Sequence, residues 1–210
     1  MCLAQKVSSR LKIAILDYGV GNLYSISCAL NRFSVEVKLV NSVKEALDAD
    51  ALILPGVGNF TPVAKKLSGE KETLCDYINA GRPLLGICLG LQILLDSSEE
   101  GEGSGLGIIS GKVRRLPNSV KIPHIGWNTL TIIKQHEFVE GVQDGSWVYF
   151  IHSYYPSLTD KDPFLAETSY GIPFPSIVGR GSLVGTQFHP EKSAETGKLL
   201  LKNFIRMIKK

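Results

Sequence analysis

The sequence predicts an α/β fold: a central, mostly parallel sheet flanked by helices, with additional antiparallel strands in the C-terminal half. Three observations predict it. Through the first half, short apolar runs alternate with apolar residues at helical spacing, the pattern of strands and helices that build a parallel sheet covered on both faces. Past Ser97 the runs become shorter and more strand-like, and Gly and Pro punctuate them. The chain has 210 residues and 22.9 kDa, with 44% hydrophobic and 20% charged residues. That composition suits one folded unit and excludes disordered, collagen-like and coiled-coil chains.

Leu11 to Tyr18 is apolar and stops at Gly19, as a buried strand ending in a turn does. Asn22 can cap the helix that follows, whose Leu23, Ile26, Leu30 and Phe33 share one face. Val35 to Val40 reads as a strand, Ser42 to Leu47 as a short helix, and Ala51 to Leu54 as a strand stopped by Pro55-Gly56. Glu70 to Ala80 carries Leu74, Tyr77 and Ile78 at helical spacing, and Pro83 to Ile87 is a further buried strand. After a Gly-rich loop from Gly101 to Gly107, strand-like runs occur around Ile108 and Val113, at Thr129 to Ile133 and at Trp147 to His152. Ser176 to Gly179 and Ser182 to Phe188, joined by Arg180-Gly181, suit a hairpin. Ser193 to Lys210 closes the chain as an amphipathic helix with Ser193 at its cap and Leu200, Leu201, Phe204, Ile205 and Ile208 on one face.

Gly86-Ile87-Cys88-Leu89-Gly90 is a G-x-C-x-G sequence directly after a buried strand and directly before helix-spaced Leu91, Leu94 and Leu95. It is the pattern of a nucleophile elbow with cysteine in the serine position. The glycines allow close approach around the sharp turn, and the helix N-terminus behind it favours a thiolate. The plain alternative is a core cysteine between packing glycines. A thiol nucleophile needs a base. Of the four histidines, His189 ends an apolar run and precedes Pro190-Glu191. Proline holds the residue before it extended, and a carboxylate two residues on can return to the imidazole, which gives a Cys88-His189-Glu191 relay. Leu54-Pro55-Gly56-Val57-Gly58, at the end of another strand, offers backbone N–H groups for an oxyanion, with those of Gly58 and Leu89 converging on one oxygen. An ordinary strand-ending turn is the alternative there.

Other features exclude functions. Lys plus Arg at 23 against Asp plus Glu at 20 leaves +3, too little to argue for a nucleic-acid partner. The longest apolar stretch, Leu84 to Leu95, is broken by Gln92 and two glycines and falls short of the ~20 residues of a membrane span. Met1 to Arg10 lacks an export signal, so a cytoplasmic protein is expected. Gly19-Val20-Gly21 opens a helix, but Tyr24 stands where a dinucleotide fingerprint needs its third glycine, and the chain has no phosphate-loop motif. Neither metal nor cofactor is expected. Cys2, Cys28 and Cys75 have no such setting and read as structural, and the basic residues Lys112, Arg114, Arg115 and Lys121 read as a solvated face.

Gly86 to Gln92, followed far downstream by Gln187-Phe188-His189-Pro190-Glu191-Lys192-Ser193, resembles the class I, triad-type glutamine amidotransferases. Asp17 to Asn22, Leu54 to Gly58, His124-Ile125-Gly126-Trp127-Asn128 and Phe150 to Tyr155 are together similar to the glutaminase-subunit family of imidazole glycerol phosphate synthases. The resemblance implies a triad of Cys88 as nucleophile, His189 as general base and acid, and Glu191 as orienting carboxylate. It implies L-glutamine as substrate, contacted by Gly56, Gln92, Ser153 and Tyr154. It also implies a heterodimer with a (β/α)8-barrel cyclase that receives the ammonia for histidine biosynthesis, faced by Asn22, Trp127 and Lys192. Residues 1–10 then form an N-terminal extension and residues 11–210 the amidotransferase domain. The same motifs leave open a paralogue feeding a sugar-modifying enzyme of surface-polysaccharide synthesis, a non-catalytic scaffold, or a cysteine peptidase on a related elbow.

Overall fold

A computed structural model describes residues 10–19 and 21–209. The expected extension over residues 1–10 therefore lies outside the described residues, Arg10 apart. In chain order the first half runs β1 (Leu11–Leu16), α1 (Leu23–Leu30), β2 (Val35–Val40), α2 (Val43–Ala46), β3 (Ala51–Leu54), α3 (Phe60–Ser68), α4 (Lys71–Asn79), β4 (Leu84–Ile87) and the short α5 (Leu89–Gln92). The second half adds β5 (Ser97–Ser98), β6 (Gly111–Arg115), β7 (His124–Thr129), β8 (Thr131–Ile132), β9 (Trp147–His152), β10 (Tyr154–Leu158), β11 (Phe164–Ser169), β12 (Pro173–Arg180), β13 (Leu183–Thr186) and α6 (Ala194–Ile208).

An eight-stranded sheet in the order β2-β1-β3-β4-β13-β12-β11-β8 forms the centre. From β2 to β13 neighbouring strands pair in parallel, and β12, β11 and β8 continue antiparallel. Strand alternation sends successive side chains to opposite faces. Ile13, Ile15, Ile53 and Ile87 enter one core with Ile26 and Leu30 of α1 and Leu200, Leu201 and Phe204 of α6. Ala14, Leu16, Leu52 and Leu54 enter the other with Phe60, Val63 and Leu67 of α3 and Leu74 and Tyr77 of α4. Both faces are covered, which explains why β3 and β4 read as continuous apolar runs. Two small sheets, β10-β6-β5 and β7-β9, stand beside the main one.

The structure differs from the sequence expectations in a few elements, each for a physical reason. Helix α3 covers residues for which the sequence reading placed no element. Pro62 looks like a breaker, but it lies in the first turn, where its missing N–H is one that lacks an intrahelical partner anyway. The cap comes from afar: the Glu100 carboxylate accepts from Phe60 N at 3.0 Å. No strand forms at Ile108, whose N–H instead donates to Leu94 O at 2.9 Å. Phe33 lies beyond α1, which stops at Leu30. Ser193 makes no side-chain cap bond to α6; its hydroxyl donates to His189 O at 2.7 Å and accepts from Tyr149 N at 2.9 Å.

Candidate active site

Strand β4 ends at Ile87, and Cys88 takes φ 49° and ψ −102°, a conformation that costs a non-glycine residue about 1–3 kcal/mol and has to be imposed by its surroundings. Those surroundings are backbone. A side chain at Gly90 would meet Leu54 O at 2.0 Å, and one at Gly56 would meet Ile87 O at 1.7 Å, so the ends of β3 and β4 touch main chain to main chain. Only glycine permits that approach. The elbow is fastened on its other side by Cys88 N donating to Thr186 O at 2.6 Å. Gln92 N then donates to Cys88 O at 3.0 Å and starts α5, at whose head the Leu89 N–H has no hydrogen-bond partner among the described residues.

The parallel register pairs Ile87 with Thr186, so the residues following β13 pass beside Cys88. His189 is held extended, at φ −99° and ψ 98°. Its N–H donates to Tyr149 O at 3.0 Å, and its carbonyl accepts from Ser193 Oγ and Lys192 N. His189 Nδ1 lies 2.8 Å from Glu191 Oε1, with the two side chains only 2% and 4% exposed. A carboxylate accepts, so Nδ1 carries a hydrogen toward Glu191 and Nε2 is the ring nitrogen left for other partners. Among the described residues Nε2 has no hydrogen-bond partner at rest. Burial alone disfavours the imidazolium, but Cys88 and the Glu191 carboxylate outweigh it and push the His189 pKa up to about 10.

A cleft of about 180 Å³ opens beside this relay, lined by Gly58, Gln92, Glu100, His152, Ser153 and Tyr154 among others. Ile151 belongs to the same lining, and Cys88 Sγ donates to its carbonyl at 3.8 Å. Of the expected substrate residues Gln92, Ser153 and Tyr154 thus line the cleft, whereas Gly56 is buried against the elbow and lines none of it. Gly58, at φ 137°, is exposed at the cleft edge. Of the expected partner-facing residues Trp127 is 48% exposed on β7 against Tyr149, beside the exposed Ile125. Lys192 is half-buried after His189. Asn22 caps α1 by accepting from Ser25 N at 3.1 Å.

Sequence reasoning missed three groups here. Glu100 projects into the cleft from the loop after β5, where burial raises its pKa and the bond from Phe60 N–H lowers it. Its signal was hidden in an acidic loop. Gln187 is fully buried, and its Nε2 donates to Cys88 Sγ at 3.4 Å. His124 and His152 form a buried pair at 3.0 Å, and burial lowers their pKa values to about 4 and about 3. Since His152 Nδ1 faces the Tyr154 carbonyl at 2.8 Å, it must carry the hydrogen there, which leaves its Nε2 to accept from His124.

A cysteine on a strained elbow and a buried histidine–carboxylate pair, together at the strand ends of a parallel sheet, form an arrangement that can carry acyl transfer through a thiol nucleophile. The profile of the glutamine amidotransferase class-I family matches residues 14–208. The imidazole glycerol phosphate synthase subunit HisH of Caldanaerobacter subterraneus subsp. tengcongensis is 46% identical over 200 residues, 94% of this chain and 98% of that protein. The subunit of the same name from Methanosarcina barkeri is 48% identical over 93% of this chain and 98% of its own length. Among solved structures, PurLQS from Thermotoga maritima superposes with a TM-score of 0.74 at 18% identity over 94% of this chain and 99% of that one, a likeness of fold. The chain belongs to the class-I glutamine amidotransferase family and, within it, to the family of these HisH subunits.

Proposed function

We infer that the chain is the glutaminase subunit of an imidazole glycerol phosphate synthase, its amidotransferase domain spanning residues 11–210. The observation that carries the reading is the buried His189–Glu191 pair beside Cys88, in a chain whose full-length relatives bear that subunit name. His189 Nε2 takes the thiol proton as the Cys88 sulfur attacks the side-chain carbonyl carbon of L-glutamine. The resulting oxyanion is stabilised by the backbone N–H groups of Leu89 and Gly58. His189 Nε2 gives its proton to the leaving nitrogen, the C–N bond breaks, and ammonia departs from a thioester. Water then attacks the thioester, His189 takes its proton and returns it to sulfur, and glutamate leaves. Glu191 holds the tautomer and stabilises the imidazolium throughout.

The cleft fits the amino-acid end of glutamine. Glu100 supplies an acidic group for the α-ammonium, whose charge offsets the cost of burying the carboxylate. Gln92 spends both Nε2 hydrogens on Tyr154 O and Gln187 Oε1, each at 2.9 Å, so it meets substrate through Oε1, as an acceptor. Ser153 and Tyr154 complete the wall.

The ammonia acceptor lies on another polypeptide, a (β/α)8-barrel cyclase in a cytoplasmic heterodimer, docked over the exposed Trp127 and Ile125 and facing Asn22 and Lys192. Among the described residues no helix is long and apolar enough to cross a membrane. The test is glutamate release from glutamine by the protein alone, then with the cyclase subunit of the same organism, with and without that subunit's nucleotide substrate. Stimulation by the liganded cyclase is expected, with activity abolished in Cys88→Ser at an unchanged circular dichroism spectrum. Folded protein without stimulation, or wild-type turnover in Cys88→Ser, overturns the reading.

A further inference from the structure

Gln187 is fully buried, and its neighbours leave its amide no choice of direction. The Tyr154 carbonyl can only accept, so the group 2.9 Å from it on Gln92 is the donor Nε2. The second hydrogen of that Nε2 meets Gln187 at 2.9 Å, which makes the facing atom of Gln187 its Oε1 and turns Nε2 of Gln187 onto Cys88 Sγ at 3.4 Å. A single backbone carbonyl therefore fixes the polarity of a chain of bonds that ends on the nucleophile. The backbone contributes as well: Gln187 N donates to Ser176 O at 2.9 Å, and Cys88 N donates to Thr186 O, so the two residues sit side by side just past the ends of adjoining strands. A buried amide costs folding energy unless it is satisfied, and an apolar side chain of the same volume would fill this space without that cost.

We propose that Gln187 is a positioning residue for Cys88, its amide N–H donating to the sulfur so that the thiolate is held and aimed while Gln92 locks the amide in that direction. At rest the thiol donates to Ile151 O and accepts from Gln187. When the proton leaves, the bond from Gln187 becomes charge-assisted and strengthens, whereas the contact with Ile151 O ceases to be a hydrogen bond. The sulfur is thereby held by Gln187, while His189 Nε2, which has taken its proton, delivers that proton to the leaving group. As a thioester the sulfur carries no charge, and the bond relaxes to a weak one.

The test uses the full chain. Cys88 alkylation by iodoacetamide is followed by peptide mass spectrometry against pH, for the wild type, Gln187→Leu and Gln187→Glu. Glutamine kcat and KM are measured for the same three proteins in complex with the cyclase subunit. Gln187→Glu keeps the volume and the bond from Gln92 but puts an oxygen where the N–H was, and it carries the test should Gln187→Leu fail to fold. Loss of one hydrogen bond to a charged group is expected to slow Cys88 alkylation at neutral pH about tenfold and to move the profile to higher pH. The drop in kcat should be about tenfold with KM within about threefold, and larger in Gln187→Glu than in Gln187→Leu. A residue that merely fills space would leave the alkylation profile where it is, and that result in both folded variants overturns the proposal. The kinetic arm rests on the glutaminase reading above, but alkylation needs neither glutamine nor partner, so failure of one is distinguishable from failure of the other.

Discussion

Replacing Glu191 by glutamine tests how the relay divides its work. The carboxylate accepts from His189 Nδ1 at 2.8 Å, and both side chains are almost wholly buried, so solvent screens the pair little. A hydrogen bond to a charged group is worth about 1.5–3 kcal/mol, and a neutral one about 1. Glu191→Gln keeps an acceptor oxygen and loses the charge, a difference of about 0.5–2 kcal/mol, or about 2–30-fold in kcat. Glu191→Ala loses the whole bond and about 10–150-fold. His189→Ala removes the proton carrier itself and about a hundred- to ten-thousand-fold. Because Glu191 acts through His189, the double substitution should be no worse than His189→Ala alone. The carboxylate helps to raise the His189 pKa toward about 10, so Glu191→Gln should also move the basic limb of kcat/KM to lower pH. The assay is glutamate release at saturating glutamine in the complex with the cyclase subunit. A Glu191→Gln loss equal to that of His189→Ala, or additive losses in the double variant, would refute the orienting role.

Two further outcomes follow from packing and charge. Gly90→Ala drives a methyl to 2.0 Å from Leu54 O, and neither backbone can retreat without parting β3 from β4; a loss of about 3 kcal/mol or more in urea unfolding is expected. Gly81→Ala, at φ 74° with nothing within 4 Å, should cost only the strain of its backbone, about 1 kcal/mol, and equal losses at the two sites would refute the close-approach argument. His124 and His152 have folded pKa values depressed to about 4 and about 3 by burial, so below their unfolded value of 6.5 the unfolded chain binds protons that the folded one does not. Stability should therefore fall as pH drops from about 6.5 toward 4. His189, raised rather than depressed, adds stability that is complete below 6.5 and fades only as pH rises toward about 10, so it does not mask that fall. Urea midpoints from pH 7.5 to 4.5 measure the slope, which His152→Gln should flatten; an unchanged slope in that variant would show that the pair is not responsible.

The sequence by itself determined the parallel half of the sheet. Runs such as Ala51–Leu54 and Leu84–Ile87 are apolar at every position because both their faces are buried, and a fully buried strand has no other way to be written. It also determined the elbow, since glycines at 86 and 90 around Cys88 are what main-chain contact on both sides of a strained turn demands. The relay was legible for a local reason, because Pro190 holds His189 extended and places Glu191 within reach. Helix α3 was not legible, because its cap comes from Glu100, 40 residues away. What only the tertiary structure decided is long-range register and the direction of buried polar groups. The pairing of β13 with β4 sets Gln187 against a thiol 99 residues distant, and the Tyr154 carbonyl orients the amides of Gln92 and Gln187. Neither is written in local periodicity. A buried glutamine looks the same in sequence whether it fills space or holds a sulfur, and only the partners that satisfy its hydrogen bonds tell the two apart.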